Sequence, residues 1–166
     1  GSKTYGEIDP ALSASVSGLL GSDVVDYSVD RIAGGDVGIY SIIATGEEIQ
    51  GNYRVSFSNV GSFTINKATY DMSGIHFVNK VVVYAGKEHG IVLTDAGGNP
   101  IVELPMGLDG IRLDVQYSEG ITNAGNRQIV ATFSTASGNY DVPDLMRATL
   151  EVQRASLRVE TYSIMK

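Results

Sequence analysis

Asp36-Val37-Gly38, with Ile42-Ile43-Ala44-Thr45 close behind it, returns 87 residues later as Asn123-Ala124-Gly125 and Ile129-Val130-Ala131-Thr132. Gly51-Asn52-Tyr53 returns at the same distance as Gly138-Asn139-Tyr140, and Thr64-Ile65-Asn66-Lys67-Ala68 returns more loosely as Glu151-Val152-Gln153-Arg154-Ala155. Chance matches do not hold one offset across three separated blocks, so the chain reads as two tandem copies of one module. A module of roughly 85 residues is long enough to bury a modest core of its own. The boundaries that follow are 1–68 for the first module and 69–155 for the second. Residues 156–166 read as the start of a further repeat or an extension of the last strand.

The repeated blocks carry strand signals. Ile111-Arg112-Leu113-Asp114-Val115-Gln116-Tyr117 alternates apolar and polar residues without a break. Arg127-Gln128-Ile129-Val130-Ala131-Thr132-Phe133, Arg54-Val55-Ser56-Phe57, Ser62-Phe63-Thr64-Ile65 and Leu150-Glu151-Val152 follow the same two-residue period. This period turns one face to a core and the other to water. Lys80-Val81-Val82-Val83-Tyr84 predicts a buried strand. Gly34-Gly35-Asp36, Gly97-Gly98-Asn99-Pro100 and Ser118-Glu119-Gly120 are turn formers between such runs. Helix signals are confined to two possible short turns, at Asp9-Pro10-Ala11-Leu12, where Asp could cap and Pro could open a turn, and at Pro143-Asp144-Leu145-Met146-Arg147. The fold class expected is all-β, two tandem small β-sandwich (Ig-like) modules, with β-grasp-like modules carrying one short helix as the alternative. Between the modules, residues 65–69 form no Pro- or Ser-rich linker, which predicts little interdomain motion and a rod.

Composition narrows the function classes. The 166 residues carry a net charge of −7 and no basic stripe, which argues against nucleic-acid binding. The absence of Cys excludes disulfides, thiolate metal sites and a cysteine nucleophile. No apolar run reaches the length of a membrane span, so no membrane insertion is expected of this segment. Gly1-Ser2 reads as the scar of tag removal, and the chain as a slice of a longer array cut out of phase with its modules. Residues 156–162, Ser-Leu-Arg-Val-Glu-Thr-Tyr, look like the opening strand of a third copy, for which the first module shows no counterpart. That strand must find backbone partners, either by extending the last strand of module two, the favoured reading, or by completing the first module of a neighbouring molecule.

No constellation for chemistry emerges. His76 near Asp71, and His89 after Lys87-Glu88, do not have the spacing of a ligand pair. No serine sits in a Gly-x-Ser-x-Gly elbow. Asp23, Asp26 and Asp30, Glu47-Glu48, and Asp141 with Asp144 could attract calcium, but without an Asp-x-Asp-x-Asp-Gly loop they read as solvated loop charge. Gly34-Gly35 and Gly97-Gly98 lack the following helix and Lys-Ser/Thr of a phosphate cradle. The expectation is therefore no catalytic, metal or cofactor-binding residue. Tyr5, Tyr40, Tyr84, Tyr117 and the equivalent pair Tyr53 and Tyr140 read as structural, with a phenol pinning a turn. Tyr27 is the best candidate for an exposed binding contact. Lys80 is the first lysine to inspect for a Lys–Asn amide cross-link of the kind found in some Gram-positive pili.

Lys3-Thr4-Tyr5-Gly6-Glu7-Ile8-Asp9-Pro10-Ala11-Leu12 resembles the opening of MBG-type repeats in large bacterial surface adhesins. Val16-Ser17-Gly18-Leu19, Asp36-Val37-Gly38-Ile39-Tyr40, Gly51-Asn52-Tyr53 and the closing Thr64-Ile65-Asn66-Lys67-Ala68 are similar to internal markers of the same repeats. Thr122-Asn123-Ala124-Gly125, Gly138-Asn139-Tyr140 and Ala148-Thr149-Leu150 resemble a related surface-repeat type. Module two departs at Arg127, where Tyr40 stands in module one, and has Val83-Tyr84-Ala85-Gly86 in place of Lys-Thr-Tyr-Gly. The resemblance implies an extracellular, non-enzymatic stalk repeat on the bacterial cell surface that brings no shared ligand residues with it. Its partners would be neighbouring repeats of the same chain. A module that grips a host or matrix glycan or protein through its loops is the alternative, and a carbohydrate-binding accessory domain is a third reading.

Overall fold

A computed structural model describes residues 1–59 and 61–164. Val60, Met165 and Lys166, and with them the end of the segment read as 156–166, lie outside the described residues. The chain is all-β, and no helix occurs among the described residues. It divides into two compact units. The first comprises Gly1–Thr69 together with Ser137–Asp141, and the second comprises Tyr70–Ala136 and the residues from Val142 onward.

The first unit is built on β1 (Ser2–Thr4), β2 (Ser28–Arg31), β3 (Gly38–Thr45) and β6 (Ser62–Asn66), a four-stranded sheet in the order β1-β6-β3-β2. β4 (Ile49–Gln50) and β5 (Tyr53–Arg54) form a short hairpin, with Gly51 at φ 56° in its turn. β7 (Ala68–Thr69) pairs in parallel with β11 (Tyr140–Asp141), so a segment that the repeat assigns to module two lies in the first unit.

The second unit repeats this topology. β8 (Lys80–Val83), β9 (Asp114–Tyr117), β10 (Gly125–Ser134) and β12 (Met146–Gln153) form a sheet in the order β8-β12-β10-β9. The antiparallel register is also preserved. Gly38 pairs with Ile65 and Tyr40 with Phe63, while Gly125 pairs with Val152 and Arg127 with Leu150. Each of these partners is displaced by 87 residues. The outer strands slip relative to that frame. Lys3 pairs with Ile65 and Val82 with Val152, so the first strand repeats at 79 residues. Val29 pairs with Ala44 and Tyr117 with Ala131, so the second strand repeats at 88. The extra length of module two therefore lies between its first and second strands. In this frame Tyr84 is the counterpart of Tyr5, and their N–H groups donate to the equivalent carbonyls of Gln153 and Asn66.

Alternation explains the core. Ile129, Ala131 and Phe133 on β10, and Ala148, Leu150 and Val152 on β12, are all buried, and the residues between them point outward. Fully burying one such Leu or Ile contributes about 1.5–3 kcal/mol. Tyr70, Ile75, Phe77, Ile91, Leu93 and Leu113 complete this core. In the first unit, by contrast, Phe63 and Ile65 are the buried apolar side chains among the described residues of 1–69, joined by Tyr140.

Three expectations are corrected. Lys80-Val81-Val82-Val83 is not a buried strand. Among the described residues it is the edge of its sheet, paired with β12 alone, and Val81 and Val83 face solvent. Neither short helical turn forms. Met146 and Arg147 already belong to β12, and Asp9 spends its carboxylate on Lys3 and Arg31 rather than on a cap. Residues 154–164 do not extend β12, which ends at Gln153; they join no strand. Where β12 stops, the Gln153 carbonyl accepts from the Tyr84 N–H.

Candidate functional site

The densest polar cluster lies in the first unit, on the stretch that opens the chain. A turn with Gly6 at φ 88° is closed by Glu7 N–H donating to the Thr4 carbonyl and Thr4 N–H donating to Glu7 Oε2. This turn lets Asp9 reach back. Its carboxylate accepts from Lys3 Nζ at 2.7 Å and from Arg31 Nε at 2.7 Å and Nη2 at 3.2 Å. Arg31 also donates through Nη1 to the Ile32 and Gly34 carbonyls, and its guanidinium lies 4.9 Å from the Tyr40 ring centroid and 4.8 Å from that of Phe63. The Lys3 and Arg31 side chains are largely covered. Hydrogen bonds from Arg31 first, then Lys3, hold the Asp9 carboxyl well below the usual carboxylate range, and Asp9 in turn raises Arg31. A carboxylate held ionised between two cations is a poor general base, because both stabilise its unprotonated form. The cluster is a strut that ties the opening loop to β2 and to the Tyr40 and Phe63 rings.

Arg31 drew no attention in the sequence, because its partner is 22 residues away and nothing local marks the pairing. Lys3 and Asp9 belong to the opening motif, and the ion pair explains why both charges stand there.

The tyrosines pin loops. Tyr53 Oη donates to Asp23 Oδ2 at 2.6 Å and accepts the Leu20 N–H at 3.1 Å, which fastens the irregular stretch before β2. The Asp23 contact pushes the Tyr53 phenol above its ordinary value. Tyr40 Oη donates to the Asp36 carbonyl at 2.6 Å, and Tyr117 Oη accepts the Leu93 N–H at 3.0 Å while its ring stacks on Phe77. Tyr5 meets Tyr140 edge to face. Tyr27, expected as an exposed contact, is exposed, lines a cavity and donates to the Ala14 carbonyl at 3.4 Å.

The remaining candidates are dispersed. Asp71 accepts from the Ser73 hydroxyl and N–H, which lower its carboxyl, while His76 pairs through its backbone with Thr94. His89 pairs through its backbone with Ile121, and its Nε2 is buried with no hydrogen-bond partner among the described residues. The Asp26 N–H and carbonyl are both held by the Gln50 side chain, Glu48 meets Arg54 at the surface, and Asp141 and Asp144 fall in different units. No group of three His, Cys, Asp or Glu able to share a metal ion occurs among the described residues. Gly97-Gly98 sits in a turn whose N–H groups are drawn onto Asp95, not onto a free anion site. Lys80 stands exposed on the edge strand with Nζ 3.3 Å from the Gly90 carbonyl, away from the buried setting that an amide cross-link requires.

The first unit also holds a cavity of about 790 Å³, lined by Val25, Val29, Ile42, Ala44, Val55 and Phe57 among others. Ile42, Ala44 and Gly61 on its wall stand at the positions that Ile129, Ala131 and Ala148 occupy in the second unit, and Val25 stands where Leu113 does. Those four positions are closed core in the second unit and open in the first.

The family model of the MBG domain (YGX type) matches residues 1–64. The resemblance read from the opening motif and from Asp36-Val37-Gly38-Ile39-Tyr40 therefore holds over that span. No curated protein and no solved structure matches the chain.

Proposed function

We propose that this chain is a structural repeat segment of an extracellular bacterial surface adhesin, non-enzymatic, which projects an adhesive region away from the cell. The observation that carries this reading is the duplicated sheet, two copies of one strand order held in a common antiparallel register. Duplication supplies length, as stacked repeat units do. The MBG match over residues 1–64 supports the surface setting. The polar clusters support the same reading, because Asp9, Arg31, Tyr53 and Asp71 spend their hydrogen-bonding capacity within the fold.

The test separates reach from recognition. In the full surface protein, these residues are replaced by an unrelated module of equal length. A spacer predicts that adhesion persists under replacement and falls on deletion. Loss of adhesion under the equal-length replacement would sink the spacer reading and favour a loop that grips a host or matrix glycan or protein.

A further inference from the structure

The chain leaves the first unit at Thr69 and returns to it at Ser137. Residues 70–136, which include β8, β9 and β10, are thus an excursion whose two ends the first unit holds together. The hold is built from several contacts, all inside the first unit. Ala68–Thr69 and Tyr140–Asp141 pair in parallel, and the Ala68 N–H donates to the Asn139 carbonyl at 2.9 Å. The Asn139 carboxamide binds both the Asp36 carboxylate and the Val37 N–H. Tyr140 is buried and meets Tyr5 edge to face, with ring centroids 5.7 Å apart. Ser137, also buried, accepts the Asn139 N–H.

The same motif in module one does something else. Gly51-Asn52-Tyr53 turns the hairpin of β4 and β5, and Asn52 is exposed. The fold of a module therefore does not require this Asn to be buried, and the hold on 137–141 is a feature of the joined chain. Just past Asp141 the backbone runs through Val142 into β12. Two routes lead from β7 to β12. One follows the backbone through residues 70–136, and the other crosses the β7–β11 pairing and is far shorter. Tension takes the shorter route, because a loop whose ends are held together carries none. The pulling sense suits this joint. β7 and β11 run parallel, and tension draws β7 from its N-terminal end and β11 from its C-terminal end. The strands are sheared, so their evenly spaced hydrogen bonds resist together rather than in turn.

We propose that the Ser137–Asp141 clasp is a load-bearing joint. Tension that reaches the first unit passes from β7 to β11 and on into β12, and residues 70–136 lie outside its path as length held in reserve. Release of that span lengthens the chain by about 230 Å. This deepens the structural-repeat reading and takes from it only the source of the tension.

The test is mechanical and uses the whole chain. Adhesion has no part in the readout, so failure of the adhesin reading and failure of the joint are told apart. The chain has no Cys, so Lys67→Cys and Val142→Cys place handles at exposed positions on either side of the clasp. At constant force in an optical trap, the clasp ruptures first, and the lengthening of about 230 Å follows that rupture and never precedes it. Asn139→Ala shortens the lifetime of the clasp by about tenfold or more. Asp36→Ala shortens it too, although Asp36 lies outside the stretch between the handles. Asn52→Ala leaves it unchanged. Equal lifetimes in the handled chain and in both clasp variants would overturn the proposal, and so would lengthening that begins at the low force needed to straighten an unheld loop.

Discussion

The side-chain carboxamide of Asn139 donates to Asp36 Oδ1 at 3.1 Å while accepting the Val37 N–H at 2.9 Å, across more than a hundred residues of chain. The orientation of the amide follows from its partners, because a backbone N–H can only face the oxygen and a carboxylate can only face the nitrogen. Asn139 is buried, its own N–H donates to Ser137 Oγ, and its carbonyl accepts from Ala68 N–H. The clasp therefore holds the Ser137–Asp141 segment in the first unit. Asn52, its counterpart in the repeat, is exposed. Asn139→Ala is expected to cost about 1–3 kcal/mol, the desolvation penalty of the groups left without a partner. Asn52→Ala is expected to change stability by less than about 0.5 kcal/mol. Urea unfolding of the two variants side by side checks the contrast, and equal effects would dissolve the distinction between the two positions.

Asp9 predicts a particular acid sensitivity. Its carboxyl is depressed in the folded state below an ordinary value near 3.8 by hydrogen bonds from Arg31 and Lys3. A depressed acid stabilises the fold fully above its unfolded value, and this contribution is lost as pH falls through and below that value toward the folded one. The chain should therefore lose stability on acidification below about pH 4. Asp9→Asn removes that share of the pH dependence, and its melting temperature should follow a flatter course across the same window. Parallel pH profiles for the variant and the unaltered chain would rule Asp9 out as the source.

Gly120 lies flat against the backbone of His89. A Cβ there would stand well inside contact distance of the His89 carbonyl oxygen, and a backbone atom cannot swing aside. The two segments are held by the paired hydrogen bonds between His89 and Ile121. Gly120→Ala should cost about 1–3 kcal/mol, as overpacking does. Gly74 faces open space without a positive φ, so Gly74→Ala serves as the control and should stay within about 0.5 kcal/mol. Differential scanning calorimetry reads both, and a benign Gly120→Ala would contradict the close approach.

Ile129 and Ile42 share one position in the repeat and differ in what surrounds them. Ile129 is fully buried, whereas Ile42 borders the open cavity. Truncating Ile129 to Ala leaves a void in a closed core and should cost about 2–5 kcal/mol. Truncating Ile42 removes contacts on one side only and should cost about 1–2 kcal/mol in dilute solution, where the transfer term dominates. Hydrogen-exchange protection in each unit reports the two effects separately, and a cost at Ile42 as large as that at Ile129 would mean the first unit is closed in solution.

The depth to which the sequence could be read varies element by element. Ile129, Ala131 and Phe133 alternate with outward residues, and that alternation alone indicated a strand with a buried face. The 87-residue offset made Tyr40 and Arg127, and Phe63 and Leu150, equivalent positions, but that Tyr40 pairs with Phe63 and Arg127 with Leu150 came only from the sheet. Lys80-Val81-Val82-Val83 misled because an apolar run looks the same in a central strand and in an edge strand; only its neighbours distinguish them. The first-strand repeat at 79 residues was hidden for a related reason. A loop can absorb extra residues at little entropic cost, so the register of the sheet survives while the linear spacing slips.

Periodicity and the recurrence of Gly51-Asn52-Tyr53 as Gly138-Asn139-Tyr140 determined, by themselves, that this is a tandem all-β protein, because both are properties of residues near one another along the chain. The tertiary structure alone decided that Arg31 closes on Asp9, that Asn139 clasps Asp36 and Val37, and that Val25 and Ile42 border a cavity while Leu113 and Ile129 are sealed. Those outcomes depend on which distant segments converge, and two copies of one local pattern converge differently when their surroundings differ.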